Sequence, residues 1–190
     1  MIIYRDNINP DKEILDILSD DEFNKKFYYE ESNIITTFHD PYNNYRDLNK
    51  LTSDFYSKVV EMIMKKFSLY YKSEYVWEGW FQSYDENTSG HEDHIHFCGN
   101  EIFSLVHFLS VPDQPCFYFL YDGEKQYVNE KSGDIIVFPS WATHGVDAVS
   151  FGKRKVFSAN VSFDNLRITR ESVLLKKAWE NNCLWTTVKT

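Results

Sequence analysis

The residues best suited to chemistry in this chain are four histidines. His91, His94 and His96 fall within GHEDHIHF, and His144 follows much later in FPSWATHG. Imidazoles and carboxylates suit a metal such as Fe(II), and a catalytic iron centre needs three of them on one side, leaving positions open for small molecules. Two ligands one residue apart on a strand meet that need, because alternate side chains point the same way. Two pairs compete here: His91 with Asp93 offers an imidazole and a carboxylate, and His94 with His96 offers two imidazoles. On a straight strand these pairs face opposite sides, so one pair meets the metal, and His144 completes either set. HEDH is one residue too short for the HExxH of zinc proteases, and its segment is not helical. His39 and His107 read as ordinary solvated or hydrogen-bonded side chains. No Walker loop, GxGxxG or GxSxG occurs, which leaves the histidine cluster as the strong chemical signal.

The elements that must position these residues fall into three parts. Asn9-Pro10 reads as a cap and first-turn proline for a short helix bearing Ile14, Leu15, Ile17 and Leu18. Leu48, Leu51, Phe55, Val59, Ile63 and Phe67 recur at spacings of three and four, which predicts a helix over about 47–68 with one face on a sheet. From about 75 to 163 the texture changes to short runs rich in β-branched and aromatic residues, such as YVWEGWFQSY, EIFSLVHFLSV and DIIVFPS. Turn clusters DENTSG, VPDQP, YDGEK and NEKSGD separate them. Eight such runs predict an all-β sandwich, jelly roll or small barrel. TRESVLLKKAWENN then predicts a C-terminal helix over about 169–182. The whole of 1–190 reads as one domain, with a helical N-terminal part over about 1–70, and is mainly β with flanking helices.

Composition narrows the partners. Hydrophobic residues make up 43% and aromatics 17%, enough for a packed interior. The formal charge of -9 repels phosphate backbones, so nucleic acid is disfavoured as a partner. No segment is apolar enough to span a bilayer and the start shows no signal-peptide pattern, so no membrane association and a cytoplasmic location are expected. Cys98, Cys116 and Cys183 form no framework of disulfides and no CxxC knuckle, as a reducing compartment would favour; Cys98 and Cys116 read as buried inert thiols.

Taken together, SYDENTSGHEDHIHFCGNEIFSLVHFLSVP, SGDIIVFPSWATHGV and GKRKVFSANVSF resemble the 2-oxoglutarate and Fe(II)-dependent oxygenases. The likeness is to a branch of bacteria and phages in which a His-x-His strand precedes a serine-rich strand start like FSLVHFL. It covers roughly 77–163. The resemblance implies a double-stranded β-helix (jelly roll, cupin-like), with Fe(II) as cofactor and 2-oxoglutarate and molecular oxygen as co-substrates. A C–H bond of a small-molecule or peptide substrate would be hydroxylated with release of succinate and CO2. His94 would be the first metal ligand, His96 would occupy the position usually held by Asp or Glu, and His144 would be the distal ligand. His91 with Asp93 stays open as the alternative pair, because it restores the usual carboxylate.

The same resemblance makes Arg154 the anchor of the distal 2-oxoglutarate carboxylate. Gly133 and Asp134 would form the turn feeding the strand that ends at Phe138-Pro139, and Ser158 and Asn160 would lie on the strand begun by Arg154. Gln82 and Tyr84 could hydrogen-bond the co-substrate, with Ser158 beside them. Phe138, Trp141 and the aromatics of CFYFLY could wall the cavity. Arg154 lies ten residues beyond His144, and a hairpin of that length would return it beside the His144 strand, with Lys153 and Lys155 facing outward. The rival expectation from another class is a cupin-like protein that binds a metal or small ligand without turnover.

Overall fold

The computed structural model describes residues 2–38, 46–67, 75–97 and 101–163. The expected C-terminal helix, His39, Cys98 and Cys183 lie outside the described residues. The chain opens with β1 (Tyr4–Asn7), α1 (Lys12–Ile17), α2 (Asp21–Lys26), β2 (Tyr28–Tyr29), β3 (Ile34–Thr36) and α3 (Arg46–Phe67). The N-terminal part read as helical therefore also supplies short strands. Asn9 is not the cap: Asp11, one residue past Pro10, accepts from the Glu13 amide and starts α1, while Asp20 accepts from the Glu22 and Phe23 amides and starts α2. Each carboxylate satisfies first-turn amides that would otherwise lack partners.

Eight strands follow: β4 (Tyr75–Tyr84), β5 (His91–His94), β6 (Glu101–Ser110), β7 (Phe117–Tyr121), β8 (Glu124–Tyr127), β9 (Asp134–Pro139), β10 (His144–Val146) and β11 (Arg154–Phe163). Together with β1, β2 and β3 they form, among the described residues, a seven-stranded sheet, ordered β1-β9-β6-β11-β4-β3-β2, and a four-stranded sheet, ordered β5-β10-β7-β8. The chain passes back and forth between the sheets, which makes the core a double-stranded β-helix. Hairpin chemistry guides the path where it can: Asp122 and Gly123 both take positive φ between β7 and β8, the conformation that an Asp-Gly turn favours. Gly133, with φ of 84°, feeds β9 as expected.

Strand alternation divides the large sheet's side chains into two interiors. Phe81, Phe103, Leu105, Leu109, Ile135, Val137, Phe157 and Ala159 face the helices, where Tyr56, Val60 and Ile63 of α3 cover them. Tyr56 stacks on Phe157 with ring centroids 3.6 Å apart, and its hydroxyl donates to His107 Nδ1 at 2.9 Å while His107 Nε2–H donates to the Ile8 carbonyl. His107 is thus a hydrogen-bonded core residue. The residues of opposite parity, including Tyr84, Val106, Phe108, Ile136, Phe138 and Val156, face the small sheet.

One expectation about connectivity fails. β11 pairs with β4 and β6, not with β10, so the chain after His144 crosses between sheets instead of returning as a hairpin. Arg154 consequently enters the interior from the sheet opposite His144. Its side chain is 1% exposed, and Nε donates to Glu130 Oε2 at 3.0 Å. The other Glu130 oxygen accepts from the Cys116 and Phe117 amides at 2.9 and 2.7 Å. This carboxylate therefore joins β11 of the large sheet to the start of β7 in the small one. No described helix is long and apolar enough to cross a membrane.

Glu130→Ala strips a buried guanidinium of its partner and two amides of their acceptor. It should lower unfolding free energy by about 3–5 kcal/mol, whereas Glu130→Gln, which keeps an acceptor oxygen, should cost less. Urea denaturation followed by tryptophan fluorescence reads both; equal, sub-kilocalorie losses would show that the pair does not hold the sheets together.

Candidate metal centre

The small sheet carries the histidines. His144, at the start of β10, lies directly across from His94 at the end of β5. His96 sits just beyond β5, where its backbone N–H donates to the Ser140 carbonyl at 2.8 Å and so turns the segment back over the cavity. One ligand atom from each of His94, His96 and His144 lies within 4.8 Å of the others. Two of the rings are held by their far nitrogens: His94 Nδ1–H donates to the Glu92 carbonyl at 2.7 Å, and His144 Nδ1–H donates to the Ala142 carbonyl at 2.8 Å. That tautomer leaves each Nε2 as a lone pair, the usual way in which outer partners aim metal-ligating imidazoles. His96 Nε2 stands 3.2 Å from His144 Nε2, and its Nδ1 faces the Asn160 amide at 3.5 Å. Asn160 is placed in turn by the Ser104 hydroxyl, which donates to its Oδ1 at 2.9 Å. Rotating the amide by half a turn keeps the Ser104 contact and offers an acceptor to His96 Nδ1–H, freeing the third Nε2.

The competing pair does not assemble. Asp93 points to the outer face of the small sheet, where it accepts from the Tyr118 hydroxyl at 2.6 Å. This bond passes over Gly145, where a Cβ would come within 2.5 Å of the Tyr118 oxygen and 2.9 Å of Asp93 Oδ1. His91, however, is not carried to the opposite side with Asp93, as strict alternation requires. Its ring centroid lies 4.2 Å from that of His94, and it lines the same cavity. The physical reason is a register shift: His144 pairs with His94 but Val146 with His91, so β5 spends one more residue than β10 over this stretch. An extra residue reverses the parity on one side of it, placing a fourth imidazole at the cavity edge.

Across from the histidines, the large sheet presents Gln82 and Tyr84 from β4, Ser104 from β6, and Arg154, Ser158 and Asn160 from β11. These share the inward parity. Phe117 and Phe138 close the sides, while Trp141 lies partly buried against the inter-sheet core. The Arg154 guanidinium carbon sits 5.2 to 5.8 Å from the rings of Tyr84, Phe108 and Phe117. Tyr84 is 1% exposed, and among the described residues its hydroxyl meets no partner in full hydrogen-bond geometry, although the Arg154 guanidinium is near enough to act on it by charge and as a weak donor. Burial pushes the Tyr84 hydroxyl up to about 12. Sequence reasoning had no signal for Glu130 or Trp80, because nothing in their local sequence marks the cavity, and it marked the FSLVHFL strand start without assigning Ser104 to the site.

Burial is also the first cause of the imidazole shifts. It drives His96 down to about 3 and His144 well below the ordinary range, with the neighbouring rings adding to the effect, and it lowers His94 despite the Glu92 carbonyl. Burial thus favours the neutral form of each ring, the form that binds a metal without displacing a proton. The inner end of the cavity is narrow, about 30 Å³ of free space, and it opens past His94 and His96 into a wider groove of about 480 Å³.

No protein-family model matches this chain, and no curated protein matches it in sequence. Solved structures do match. A viral collagen prolyl hydroxylase from Paramecium Bursaria Chlorella virus-1, in complex with 2OG, is similar with a TM-score of 0.55 at 16% identity, over 83% of this chain and 95% of that one. A Pseudomonas putida prolyl-4-hydroxylase is similar with a TM-score of 0.50 at 16% identity, over 60% of this chain and 66% of that one. A 2OG-Fe(II) oxygenase family protein from Burkholderia pseudomallei is matched at 17% identity with a TM-score of 0.43, over 60% of this chain, which spans half of that one. At such identities the likeness is one of fold, and this chain shares its double-stranded β-helix with prolyl hydroxylases of a virus and a bacterium.

Proposed function

We propose that the protein is an Fe(II)- and 2-oxoglutarate-dependent dioxygenase that hydroxylates a C–H bond of a peptide or small-molecule substrate. The observation that carries this reading is the convergence of three imidazoles, one buried and two half-buried, opposite an inward arginine and a buried tyrosine hydroxyl. The donor set fits iron: His94, His96 and His144 supply three nitrogens from one side and leave the side toward the groove open. When bound, iron with 2-oxoglutarate and oxygen supplies the oxidising chemistry: one oxygen atom enters the substrate C–H bond and the other enters succinate as CO2 leaves.

The chain's own residues bind and orient. Arg154 commits Nε to Glu130, which leaves its terminal nitrogens for the far carboxylate of the co-substrate. The Tyr84 hydroxyl, buried without a full hydrogen bond among the described residues, would donate to the same carboxylate, and Gln82 and Ser158 flank the path between it and the histidines. Free space at the inner end is close to that of one water, so a five-carbon diacid needs the surrounding side chains to spread. Phe117 and Phe138 keep water away from the metal-facing rings. A cytoplasmic, reducing setting is part of the same proposal and suits the free buried thiol of Cys116.

A second reading is favoured by one observation, the exclusion of Asp93, which leaves the donor set without a carboxylate. It makes the protein a binding module that holds a metal or small ligand without turnover. Anaerobic addition of Fe(II) and 2-oxoglutarate separates the two. A metal-to-ligand charge-transfer absorption in the visible, followed by succinate release on admitting oxygen, supports the dioxygenase; iron binding with neither signal supports the module.

His144→Ala and His94→Ala should each weaken Fe(II) binding by more than about 100-fold, because losing a ligand costs more than losing a supporting contact. His91→Ala should change it by less than about tenfold. Anaerobic metal titration of the folded variants checks this, and the reverse pattern at His91 and His94 would restore the pair of His91 and Asp93. Tyr84→Phe removes only a hydroxyl that makes no full hydrogen bond among the described residues, so the melting temperature should hold or rise while 2-oxoglutarate binding weakens about tenfold. Unchanged co-substrate affinity in this variant would remove the inner end of the cavity from the binding site.

A further inference from the structure

The groove outside the histidines has a chemical character of its own. Its walls include Thr36 and Phe38, Glu78 and Trp80, Asn160 and Glu101, and among the described residues no lysine or arginine lines it. The Trp80 ring centroid lies 5.7 Å from that of His96, and Phe38 meets Trp80 edge-on at 5.1 Å. Glu78 stands two residues further out on β4, directly across from Asn160, whose amide faces His96. An aromatic wall and a carboxylate are therefore stationed one rung from the rings proposed to hold the metal.

Glu78 has the parity of Trp80, Gln82 and Tyr84, which line the interior, so it faces the groove rather than the helices. It is exposed and makes no ion pair or hydrogen bond among the described residues. An apolar or anionic ligand in this groove would take water from the carboxylate and return nothing, and a neutral donor would return one uncharged hydrogen bond, whereas a cation would gain a charged contact to the carboxylate and the ring faces as well. The formal charge of -9 draws cations toward the chain at long range. A space of about 480 Å³ accommodates a long side chain with its own backbone.

We infer that the substrate presents an aliphatic cation, the ammonium or guanidinium of a lysine or arginine side chain, with its charged head at Glu78 beside Trp80 and Phe38. The methylene stem then runs toward His94 and His96, which brings an unactivated C–H bond to the metal face; this last clause rests on the dioxygenase reading, while the cation site does not. Free amino acids and peptides share the recognised group, and the probes distinguish them.

The test is calorimetric titration of the full-length, metal-free chain. The probes are L-lysine, L-arginine and blocked Gly-X-Gly tripeptides in which X is lysine, arginine, norleucine or proline. Either basic probe should bind at least about tenfold more tightly than the norleucine tripeptide, with the free or the peptide form identifying the source. Glu78→Gln should erase that advantage, and Glu78→Lys should turn it into a preference for norleucine. Equal or tighter binding of the norleucine or proline tripeptide, no measurable binding of any probe, or a lysine advantage that survives Glu78→Gln would each overturn the inference. Lysine binding that depends on Glu78 in a chain that takes up neither Fe(II) nor 2-oxoglutarate would instead overturn the dioxygenase reading and leave this one standing.

Discussion

Everything in this structure that could do chemistry depends on keeping two β-sheets apart at one end and together at the other. The joint is the buried pair of Arg154 and Glu130. Glu130 is bound on one oxygen by two amides near the start of β7 and on the other by a guanidinium from β11, so the carboxylate is tied to both sheets at once. A charge so deeply buried is tolerable only because both partners are satisfied. The same bond decides what Arg154 can offer: with Nε committed, its remaining nitrogens point along a fixed direction instead of sampling the cavity.

From that joint the cavity is built by parity. Each long strand of the large sheet gives one set of side chains to the helices and the other to the small sheet, so an aromatic core and a polar wall come from the same strands. Tyr56 stacked on Phe157 fixes the outer layer, and with the backbone held there, Ser158 and Asn160 on the same strand cannot turn away from the histidines. The imidazoles approach from the other sheet, those of His94 and His144 with their far nitrogens already occupied by backbone carbonyls and that of His96 with its far nitrogen facing the Asn160 amide. Orientation is thus settled by main-chain contacts on one side and by a strand ladder on the other.

Much of this was readable in the residues. The alternating runs placed all eight core strands, the three-and-four spacing placed α3, and the rarity of histidine made the cluster stand out. Strand partners were not readable: the ten residues from His144 to Arg154 are as compatible with a hairpin as with a crossover, and the difference lies in contacts remote in sequence. The bulge that brings His91 beside His94 was hidden for the same reason, since an extra residue shows itself only against its neighbouring strand. Pro10 pointed to a helix start but not to its cap, because Asn9 and Asp11 have the same chemistry and only backbone geometry chooses between them.

The hydrogen bond from Tyr118 to Asp93, strung across Gly145, carries a consequence for how this site can change over generations. Position 145 follows a histidine of the cluster and touches nothing that reacts, yet any side chain there would pry Tyr118 and Asp93 apart and loosen the seam between β5 and β10. The glycine is chemically silent and sterically closed. A lineage that came to need a negatively charged ligand could not simply recruit Asp93, whose swing inward would mean surrendering that bond and rewinding the strand that carries His94. The easier road is a single replacement at His96, beyond the end of the strand, where the backbone bond to the Ser140 carbonyl holds the chain whatever side chain it carries.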